Sequence, residues 1–416
     1  LPFDHQDIKV YIDNLFLEGK LTRVEAKDIE VDAGSWVRSG IATSGVDDDE
    51  LRISRLFDLV EKDLPTAEAR YSDWTAFALK WAELSALVHC GDSTEHQARR
   101  REIGDALNTT FAGWLADHYS SLINLPPTNP AMLHHVPRRL ARDIEDSGSS
   151  RAALIVVDGL ALDQWVTIRQ LLQKQDANLV MRESATFAWI PTLTSVSRQS
   201  IFSGKPPLYF PSSINSTNSE EKLWKQFWEG HGLSRLDIRY ERGLGTGDAI
   251  ADIDALVSSK TRVIGVVVDT PDKIMHGMEL GSRGMHSQLS LWAHSGYLLN
   301  AITRLSSLGF DVWLTADHGN IEAIGRGRPQ EGVLAETKGE RVRVYPTSEL
   351  RQQVSSEFAF AIDWEPVGLP AEYFPLLASK RDAFVTDGST IVGHGGIAIE
   401  EVIVPLVRFA RRETLQ

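Results

Sequence analysis

The spacing of hydrophobic residues changes near residue 145. Before that point apolar side chains recur at helical spacing, as in Leu51–Leu64 and in Trp74–Val88. After it, short and continuous apolar runs take over, at Ala152–Val157, Val263–Val268 and Phe310–Leu314. Runs of this length that are bounded by polar residues are typical of buried strands. The first third of the chain is therefore predicted to be mostly helical, and the rest to contain a sheet.

Helical patterns separate the three apolar runs, at Leu162–Leu172 and at Gln288–Leu305. Strands that alternate with helices indicate a parallel sheet covered on both faces. The predicted fold class is therefore α/β, with a mainly parallel central sheet sandwiched by helices and a preceding, mostly helical domain. In such sheets ligands bind beyond the carboxyl ends of the strands.

The polar segment Asp146–Ser150 marks the predicted domain boundary. We expect an N-terminal helical domain over residues 1–148 and a catalytic domain over residues 149–416, with insertions at about 206–248 and 322–391. The first insertion contains Trp224, Phe227 and Trp228 at helical spacing, which favours buried packing over stacking on nucleic-acid bases.

Composition limits the environment and the partners. The chain has 416 residues, a formal net charge of −14 and a single cysteine, which fits a reducing compartment. No apolar run is long enough to cross a membrane, and the acidic N-terminus has no signal-peptide pattern, so we expect a cytoplasmic protein. Because the first residue is Leu, we also expect the sequence to be a fragment of a longer protein.

Negative charge is concentrated in the first part of the chain. Residues 1–150 hold 16 Lys and Arg against 26 Asp and Glu, whereas residues 151–416 hold 27 against 31. The chain therefore lacks the global basic surface that nucleic-acid-binding proteins often show. A local groove stays possible, because bound divalent cations would offset acidic ligands.

Metal-competent side chains follow the predicted strands. Taken alone, each has an ordinary alternative, such as a helix cap, a surface hydrogen bond or a tight turn. Together they supply nitrogen and oxygen donors that suit Zn²⁺ or Mn²⁺, and they exceed the three protein ligands of one catalytic metal. Two metals would account for the surplus. The residues are Asp158, Asp272, His276, Asp317, His318 and His394.

A hydroxyl nucleophile is available in the segment that begins at Pro191. A helical pattern starts near Thr194, and a hydroxyl at a helix N-terminus beside a metal lies in a field that favours its alkoxide. The spacing leaves open that Thr194 or Ser195 only caps the helix.

In chain order these motifs resemble the alkaline-phosphatase superfamily. They are Asp158, Pro-Thr-Leu-Thr at 191–194, Pro-Asp-x₃-His at 271–276, Thr-Ala-Asp-His-Gly at 315–319 and the glycine-flanked His394. With Glu401-Val402-Ile403-Val404-Pro405, the chain is similar over about residues 150–410 to the PglZ domain of bacteriophage-exclusion (BREX) defence systems.

The resemblance implies a role for each residue. Asp272, His276 and His394 would hold one metal, and Asp158, Asp317 and His318 would hold the other. The cofactors would be two divalent ions, with Zn²⁺ first and Mn²⁺ as the alternative. Thr194 would be the nucleophile that bridges both metals, with Thr192 as its competitor, and Asp269 would compete with Asp272 as a ligand.

Basic side chains are the candidates for binding phosphate. Arg198 lies one helical turn beyond Thr194 and could reach a phosphate oxygen, or it could form a structural ion pair. Arg341 and Arg343 alternate on a predicted strand and could grip a polyanion together with Arg326, Arg328 and Lys338. The alternative for this strand is a solvated face.

The resemblance implies a divalent-metal-dependent phosphodiesterase or phosphatase, possibly a nuclease, of a phage-defence system. Its substrate would be a phosphoester in DNA, a nucleotide or a phosphorylated protein. Other defence-system proteins are the expected partners, and no membrane is involved. The alternative function is a non-catalytic assembly module that keeps the phosphatase fold. A mutase is disfavoured, because the mutase branch of the superfamily has Ser at the nucleophile position.

Overall fold

A computed structural model describes residues 45–147, 151–329, 335 and 337–412, together with isolated positions before residue 45. The predicted boundary between residues 148 and 149 lies outside the described residues. No helix in the part of the chain that the structure describes has both the length and the apolar composition needed to cross a membrane.

Within residues 45–147, four helices precede the sheet. They are α1 (Gly45–Lys62), α2 (Tyr71–Cys90), α3 (Thr94–Leu122) and α4 (Val136–Ser147), with a 3₁₀ turn at Leu133–His135. The apolar side chains that predicted α1, namely Ile53, Leu56, Phe57 and Val60, are all buried. This region is therefore helical, as the periodicity indicates.

Strands and helices alternate from residue 152 onwards. The elements up to the end of the fifth strand are β1 (Ala152–Val157), α5 (Leu162–Gln175), β2 (Leu179–Phe187), α6 (Thr194–Ser203), α7 (Glu220–Glu229), β3 (Ile238–Leu244), α8 (Ala249–Leu256), β4 (Val263–Val268), α9 (Thr270–His276), α10 (Gly281–His294), α11 (Tyr297–Ser307) and β5 (Asp311–Ala316). The remaining elements are β6 (Ile321–Gly325), β7 (Thr337–Lys338), β8 (Val342–Tyr345), α12 (Ser348–Ser355), β9 (Ala361–Asp363), β10 (Phe374–Ala378), β11 (Asp382–Ala383), β12 (Thr390–Gly393), α13 (Ile399–Val402) and β13 (Ile403–Arg411).

The central sheet has six strands in the order β2-β13-β5-β1-β4-β3. The strand β1 is parallel to both of its neighbours, so Val157 lies level with Val268 of β4 and with Ala316 of β5. Only β13 runs antiparallel to its partners in this sheet. The prediction of a mainly parallel sheet is confirmed, and three neighbouring strands end at one edge.

Two small sheets form in the segment between β5 and β13. One is four-stranded, in the order β7-β8-β10-β9, and it has its own apolar cluster around Tyr345, Leu376 and Phe384. The other, in the order β11-β6-β12, carries the chain back to the edge of the central sheet. This segment therefore has a folded structure of its own.

Apolar packing joins the N-terminal helices to the sheet. Trp74 of α2 and Trp114 of α3 pack with Phe111 and with Phe187 at the end of β2, with ring centroids 4.9 to 6.2 Å apart. One core of buried apolar residues runs from α1 to β13. Burying each of these aromatic side chains contributes roughly 1.5–3 kcal/mol, so their burial stabilises the packing of the N-terminal helices against the sheet.

Two predicted elements differ from the structure. The helix predicted at Gln288–Leu305 is two helices, α10 and α11, because Gly296 adopts a left-handed backbone (φ 79°) between them. The strand predicted at Phe310–Leu314 lies at Asp311–Ala316. The shift places Asp317 directly at its end.

Two adjacent histidines give the fold a pH dependence. The ring centroids of His134 and His135 lie 4.0 Å apart. The Nε2 atom of each ring lies close to the carbonyl oxygen of Ile123, at 3.0 Å for His134 and 3.1 Å for His135. Burial lowers the pKa of His134 to about 2 and that of His135 to about 4. Both are therefore neutral in the folded chain near neutral pH.

In the unfolded chain both histidines bind a proton with a pKa near 6.5. Their contribution to the free energy of unfolding is therefore fully present above that pH and is lost as the pH falls toward their folded-state pKa values. At about pH 5 each histidine should cost ~2 kcal/mol relative to about pH 7.5. We expect His134→Gln to reduce the drop in Tm between these two pH values by roughly 2–4 °C, measured by differential scanning fluorimetry. His294→Gln, on the exposed end of α10, is the control and should leave the drop unchanged. An equal drop in both variants would contradict the assignment.

Candidate active site

The candidate site lies where β1, β4 and β5 end. Asp158 follows β1, and Asp317 and His318 follow β5. The loop after β4 leads at once into α9, which carries Asp272 and His276. Because β1 is central among these strands, their carboxyl ends bring all five side chains to one edge.

The first ligand group consists of Asp158, Asp317 and His318, and all three side chains are buried. The backbone N–H of Gly159 donates to Asp317 Oδ1 at 3.0 Å. His318 Nδ1 lies 2.9 Å from the carbonyl oxygen of Gly319, which leaves Nε2 directed into the site. One atom of each residue lies within 4.8 Å of the others, so the group could hold a metal ion.

The second ligand group consists of Asp272, His276 and His394 and meets the same distance limit. His394 is buried, and its Nδ1 lies 2.7 Å from the carbonyl oxygen of Thr192, whereas the His276 side chain is half exposed. The rings of His318 and His394 stack with centroids 3.8 Å apart, so the two groups adjoin. The structure brings together all six predicted ligands in the two predicted sets.

Unpaired carboxylate oxygens fit a cation at this site. Asp158 Oδ1 and Asp317 Oδ2 are buried and have no hydrogen bond to a described residue, and the buried Asp272 Oδ1 has only a long contact of 3.4 Å with His276 Nε2. Buried charged atoms without partners are costly, and metal coordination is one of the few ways to satisfy them. The donors, three carboxylates and three imidazoles, are those that suit Zn²⁺ or Mn²⁺.

The charges of the site are strongly coupled. Burial and the neighbouring Asp158 raise the pKa of Asp317 well above its ordinary value, and burial also raises the pKa of Asp158 against the opposing effect of Arg198. Burial and His394 lower the pKa of His318, whereas the hydrogen bond to Asp272 raises the pKa of His276. Burial thus disfavours the charged forms of Asp158 and Asp317, whereas contacts with histidines lower the pKa of Asp272, and bound cations would favour the charged form of all three.

Thr194 is the first residue of α6 and lies beside both groups. Its Oγ1 is 3.0 Å from His318 Nε2, and its side chain is only half-buried. Thr192, the competing residue, is fully buried. Its hydroxyl donates to the carbonyl of Gly396 at 3.0 Å and accepts from the N–H of Gly395 at 2.9 Å. Thr192 therefore braces the His394 loop, and Thr194 is the hydroxyl that faces the site.

Arg198 forms buried ion pairs and does not occupy the phosphate-binding position predicted for it. Its guanidinium is buried and donates to Asp158 Oδ2 at 2.8 Å and to Glu220 Oε2 at 2.5 Å. Tyr240 donates to the same Glu220 oxygen. Arg198 is thus held between two carboxylates and is not among the residues that line the cavity at Thr194. The structure corrects its predicted role as a phosphate-binding catalytic residue: it positions Asp158.

The two arginines near β8 also differ from the prediction. Arg341 is fully buried and forms a bidentate ion pair with Glu401, at 2.8 and 3.0 Å, and Arg343 is buried and donates to backbone carbonyls. Neither a polyanion grip nor a solvated strand face describes them, because both guanidinium groups are satisfied inside the protein. Glu401 also accepts from the N–H groups of Gly396 and Ala398, so the pair holds the His394 loop.

Two further predictions have clear outcomes. Asp269 pairs with Lys273 at 3.0 Å and belongs to neither candidate ligand group, whereas Asp272 belongs to the second. Trp224 and Trp228 of α7 are buried, with Phe227 packed against them, which confirms packing over base stacking.

A cavity of about 410 Å³ opens in front of Thr194. Residues 215–218 of the first insertion and Thr337 of the second line it, and Thr337 Oγ1 donates to Asn215 Oδ1 at 3.2 Å. The two insertions therefore meet over the candidate nucleophile and form the walls of its cavity. The described lining side chains are polar and uncharged apart from Leu193 and His394.

Sequence reasoning missed several supporting residues. Glu220 anchors Arg198, and Asn320 donates to the carbonyl of Gly159 at 2.7 Å next to Asp158. Neither has a sequence signal, because an isolated Glu or Asn is ordinary on a helix or in a turn. Gly319 is different: a Cβ there would lie 1.9 Å from the carbonyl oxygen of Glu400, so its place after His318 is a steric requirement.

One family model and several solved structures are similar to this chain. The model of the family described as "BREX system PglZ alkaline phosphatase-like domain" matches residues 136–409. Among solved structures, murine ectonucleotide pyrophosphatase/phosphodiesterase 5 is similar with 12% sequence identity and a TM-score of 0.47, over 62% of this chain and 87% of that one. The human protein of the same name gives 11% identity and a TM-score of 0.43 over the same shares. No curated protein matches the sequence.

The buried position of Arg198 predicts a large effect of its removal. Arg198→Met would leave Asp158 and Glu220 buried without their cation, which should destabilise the chain by about 3–5 kcal/mol. Arg235→Met is the matched control, because Arg235 is exposed and its pair with Glu229 should contribute no more than about 1 kcal/mol. Chemical unfolding of both variants measures the difference. Equal losses of stability would show that the buried carboxylates do not depend on Arg198.

Proposed function

The chain belongs to the family of BREX system PglZ alkaline phosphatase-like domains, and on that premise we propose that it is a divalent-metal-dependent phosphoric-ester hydrolase with Thr194 as its nucleophile. One observation carries the proposal. Two groups of three metal-competent side chains adjoin at the end of the sheet, and the hydroxyl of Thr194 lies 3.0 Å from one of their imidazoles. The arrangement has the parts that a two-metal phosphoryl-transfer site needs.

The residues that would hold the metals follow from the two groups. Asp158, Asp317 and His318 would bind one ion, and Asp272, His276 and His394 the other, with Thr194 between them. When bound, the ions would supply positive charge that stabilises the entering and leaving oxygens of the phosphoryl transfer. The unpaired oxygens of the three aspartates support this assignment.

The chemistry of the chain's own residues is a two-step displacement. Thr194 Oγ1 attacks phosphorus and loses its proton, the ester bond to the leaving oxygen breaks, and that oxygen leaves with a proton. The product of this step is a phosphothreonine. Water then attacks the same phosphorus, the bond to Oγ1 breaks, and the hydroxyl of Thr194 is restored. The start of α6 assists, because the positive end of the helix dipole faces the developing negative charge.

The cavity is the basis for a proposal about the substrate. Its walls of Asn, Ser and Thr side chains offer neutral hydrogen-bond donors and acceptors, which suit a phosphodiester whose charge is met by the metals. We therefore propose a nucleic-acid or nucleotide phosphodiester as the substrate class, with a role in phage defence beside other proteins of the same system. A phosphorylated protein is the alternative substrate.

Loss of the hydroxyl tests the nucleophile. Thr194→Ala should reduce divalent-dependent cleavage of bis(p-nitrophenyl) phosphate by at least about a thousandfold, because it removes the hydroxyl that lies 3.0 Å from His318 Nε2. Thr194→Ser should keep part of the activity. Ser195→Ala, which removes the neighbouring hydroxyl, should stay within roughly tenfold of the wild type. Retained activity in Thr194→Ala would place the nucleophile elsewhere.

Metal removal tests the cofactors. Dialysis against a chelator should abolish the activity, and Zn²⁺ or Mn²⁺ should restore it in the wild type but not in Asp317→Ala. Because the pKa of His276 is raised above its ordinary value, its imidazole binds a proton in competition with a metal ion, so metal affinity should fall as the pH falls from about 8 to about 6, with release of protons on binding. Titration calorimetry in buffers of different ionisation enthalpy measures both effects.

A chain that binds no divalent ion at millimolar concentration would instead favour the alternative function, a non-catalytic assembly module.

A further inference from the structure

A third group of metal-competent side chains lies apart from the two at the candidate active site. It consists of His89 near the end of α2, Asp163 in the first turn of α5 and His286 on α10. One atom of each lies within 4.8 Å of the others. We propose that this group binds a divalent cation, with Zn²⁺ preferred, and that the ion fastens the N-terminal helices to the sheet domain.

The three side chains converge on one point. His286 Nε2 lies 3.2 Å from Asp163 Oδ2, and His89 Nε2 lies 3.9 Å from the same oxygen. The second distance is too long for a hydrogen bond, and His89 has no hydrogen bond among the described residues. A cation between the three atoms would give His89 Nε2 a partner and would bind all three.

The separation of the two rings fits a shared metal. The ring centroids of His89 and His286 lie 5.2 Å apart. Two imidazoles that bind one Zn²⁺ through Nε2 at about 2.1 Å, with a tetrahedral angle between them, place their centroids about 5 Å apart. Two imidazoles with one carboxylate form a donor set that suits Zn²⁺ better than Mg²⁺ or Ca²⁺.

Other side chains orient the ligands from outside. His286 Nδ1 lies 2.9 Å from Thr167 Oγ1, which leaves Nε2 directed at Asp163. The backbone N–H of Gln164 donates to Asp163 Oδ1 at 2.9 Å, which leaves Oδ2 for the ion. Partners of this kind on the far atom of each ligand are usual at metal sites. His286 is almost completely buried, so its orientation is fixed.

A cavity of about 120 Å³ beside His89 leaves room for a fourth ligand. Its other charged lining residues are Arg100, Arg101, Arg283, Arg381 and Glu322. Positive charge this close opposes a cation, but Glu400 lies 3.6 Å from Arg100 and 3.8 Å from Arg381 and offsets part of it. The remaining positive charge favours an anionic fourth ligand, such as hydroxide or a carboxylate, which would complete a tetrahedral site.

The proposed ion is structural and lies near the candidate active site without entering it. Gln164, next to Asp163, donates to Asn320 Oδ1 at 2.7 Å, and Asn320 donates to the carbonyl of Gly159 beside Asp158. Fixing the start of α5 would therefore steady the end of β1. None of the three ligands lines the cavity in front of Thr194.

Metal counting separates this site from the candidate active site. In a chain with Asp272→Asn and Asp317→Asn, which weaken both ligand groups there, we expect elemental analysis after dialysis against Zn²⁺ to show about one ion that is lost when His89→Ala is added. Zn²⁺ at a hundred times its Kd should raise the Tm of the His89-containing chain by roughly 3 °C and leave the His89→Ala chain unchanged. His96→Ala on α3 is the control and should keep the ion.

The same comparison is made in the otherwise wild-type chain, in case the multiple variant does not fold. There, His89→Ala and His286→Gln should each lower the zinc content by about one ion. Equal zinc content with and without His89, in chains with native circular dichroism, would overturn the proposal. Since neither readout is catalytic, this result is independent of whether Thr194→Ala retains activity.

Discussion

The electrostatics of two buried carboxylates governs the candidate site. Asp158 and Asp317 lie at the ends of neighbouring parallel strands, each with an oxygen that has no hydrogen bond to a described residue, and Arg198 donates to Asp158. In a medium of low dielectric two adjacent carboxylates resist being ionised together unless positive charge lies nearby. Arg198 supplies such a charge, and Glu220, which also accepts from Tyr240, holds Arg198 in place.

A second constraint is the return of the chain to this edge. His394 follows a small sheet far along the sequence, and its position depends on Thr192, on the Arg341–Glu401 ion pair and on close backbone approach at glycines. These contacts are buried and mutually satisfied, so the loop is well determined before any ion binds. If this is the proposed metal centre, it would need little rearrangement to take up its ions, and preorganisation of this kind favours affinity.

The proposed third cation would connect the N-terminal helices to the sheet domain. Those helices already share an apolar core with the sheet, and a metal bound by His89, Asp163 and His286 would add a directional link at one place. The cavity walls at Thr194 come instead from the two insertions, which meet at Asn215 and Thr337. The proposed structural cation and the cavity at Thr194 thus involve different parts of the chain.

The sequence by itself determined the alternation of strands and helices and the mainly parallel sheet, which follow from short-range periodicity, and it predicted both groups of candidate metal ligands through their resemblance to motifs in family order. The tertiary structure decided what the polar side chains outside those motifs do. Arg198, Arg341 and Arg343 read as phosphate-binding candidates along the chain, yet each is buried against groups distant in sequence, such as Glu220 and Glu401. Thr194 was separated from Thr192 only by which hydroxyl faces the ligands. A residue's partners across the fold set whether its charge or hydroxyl is free to react, and local sequence carries no record of them.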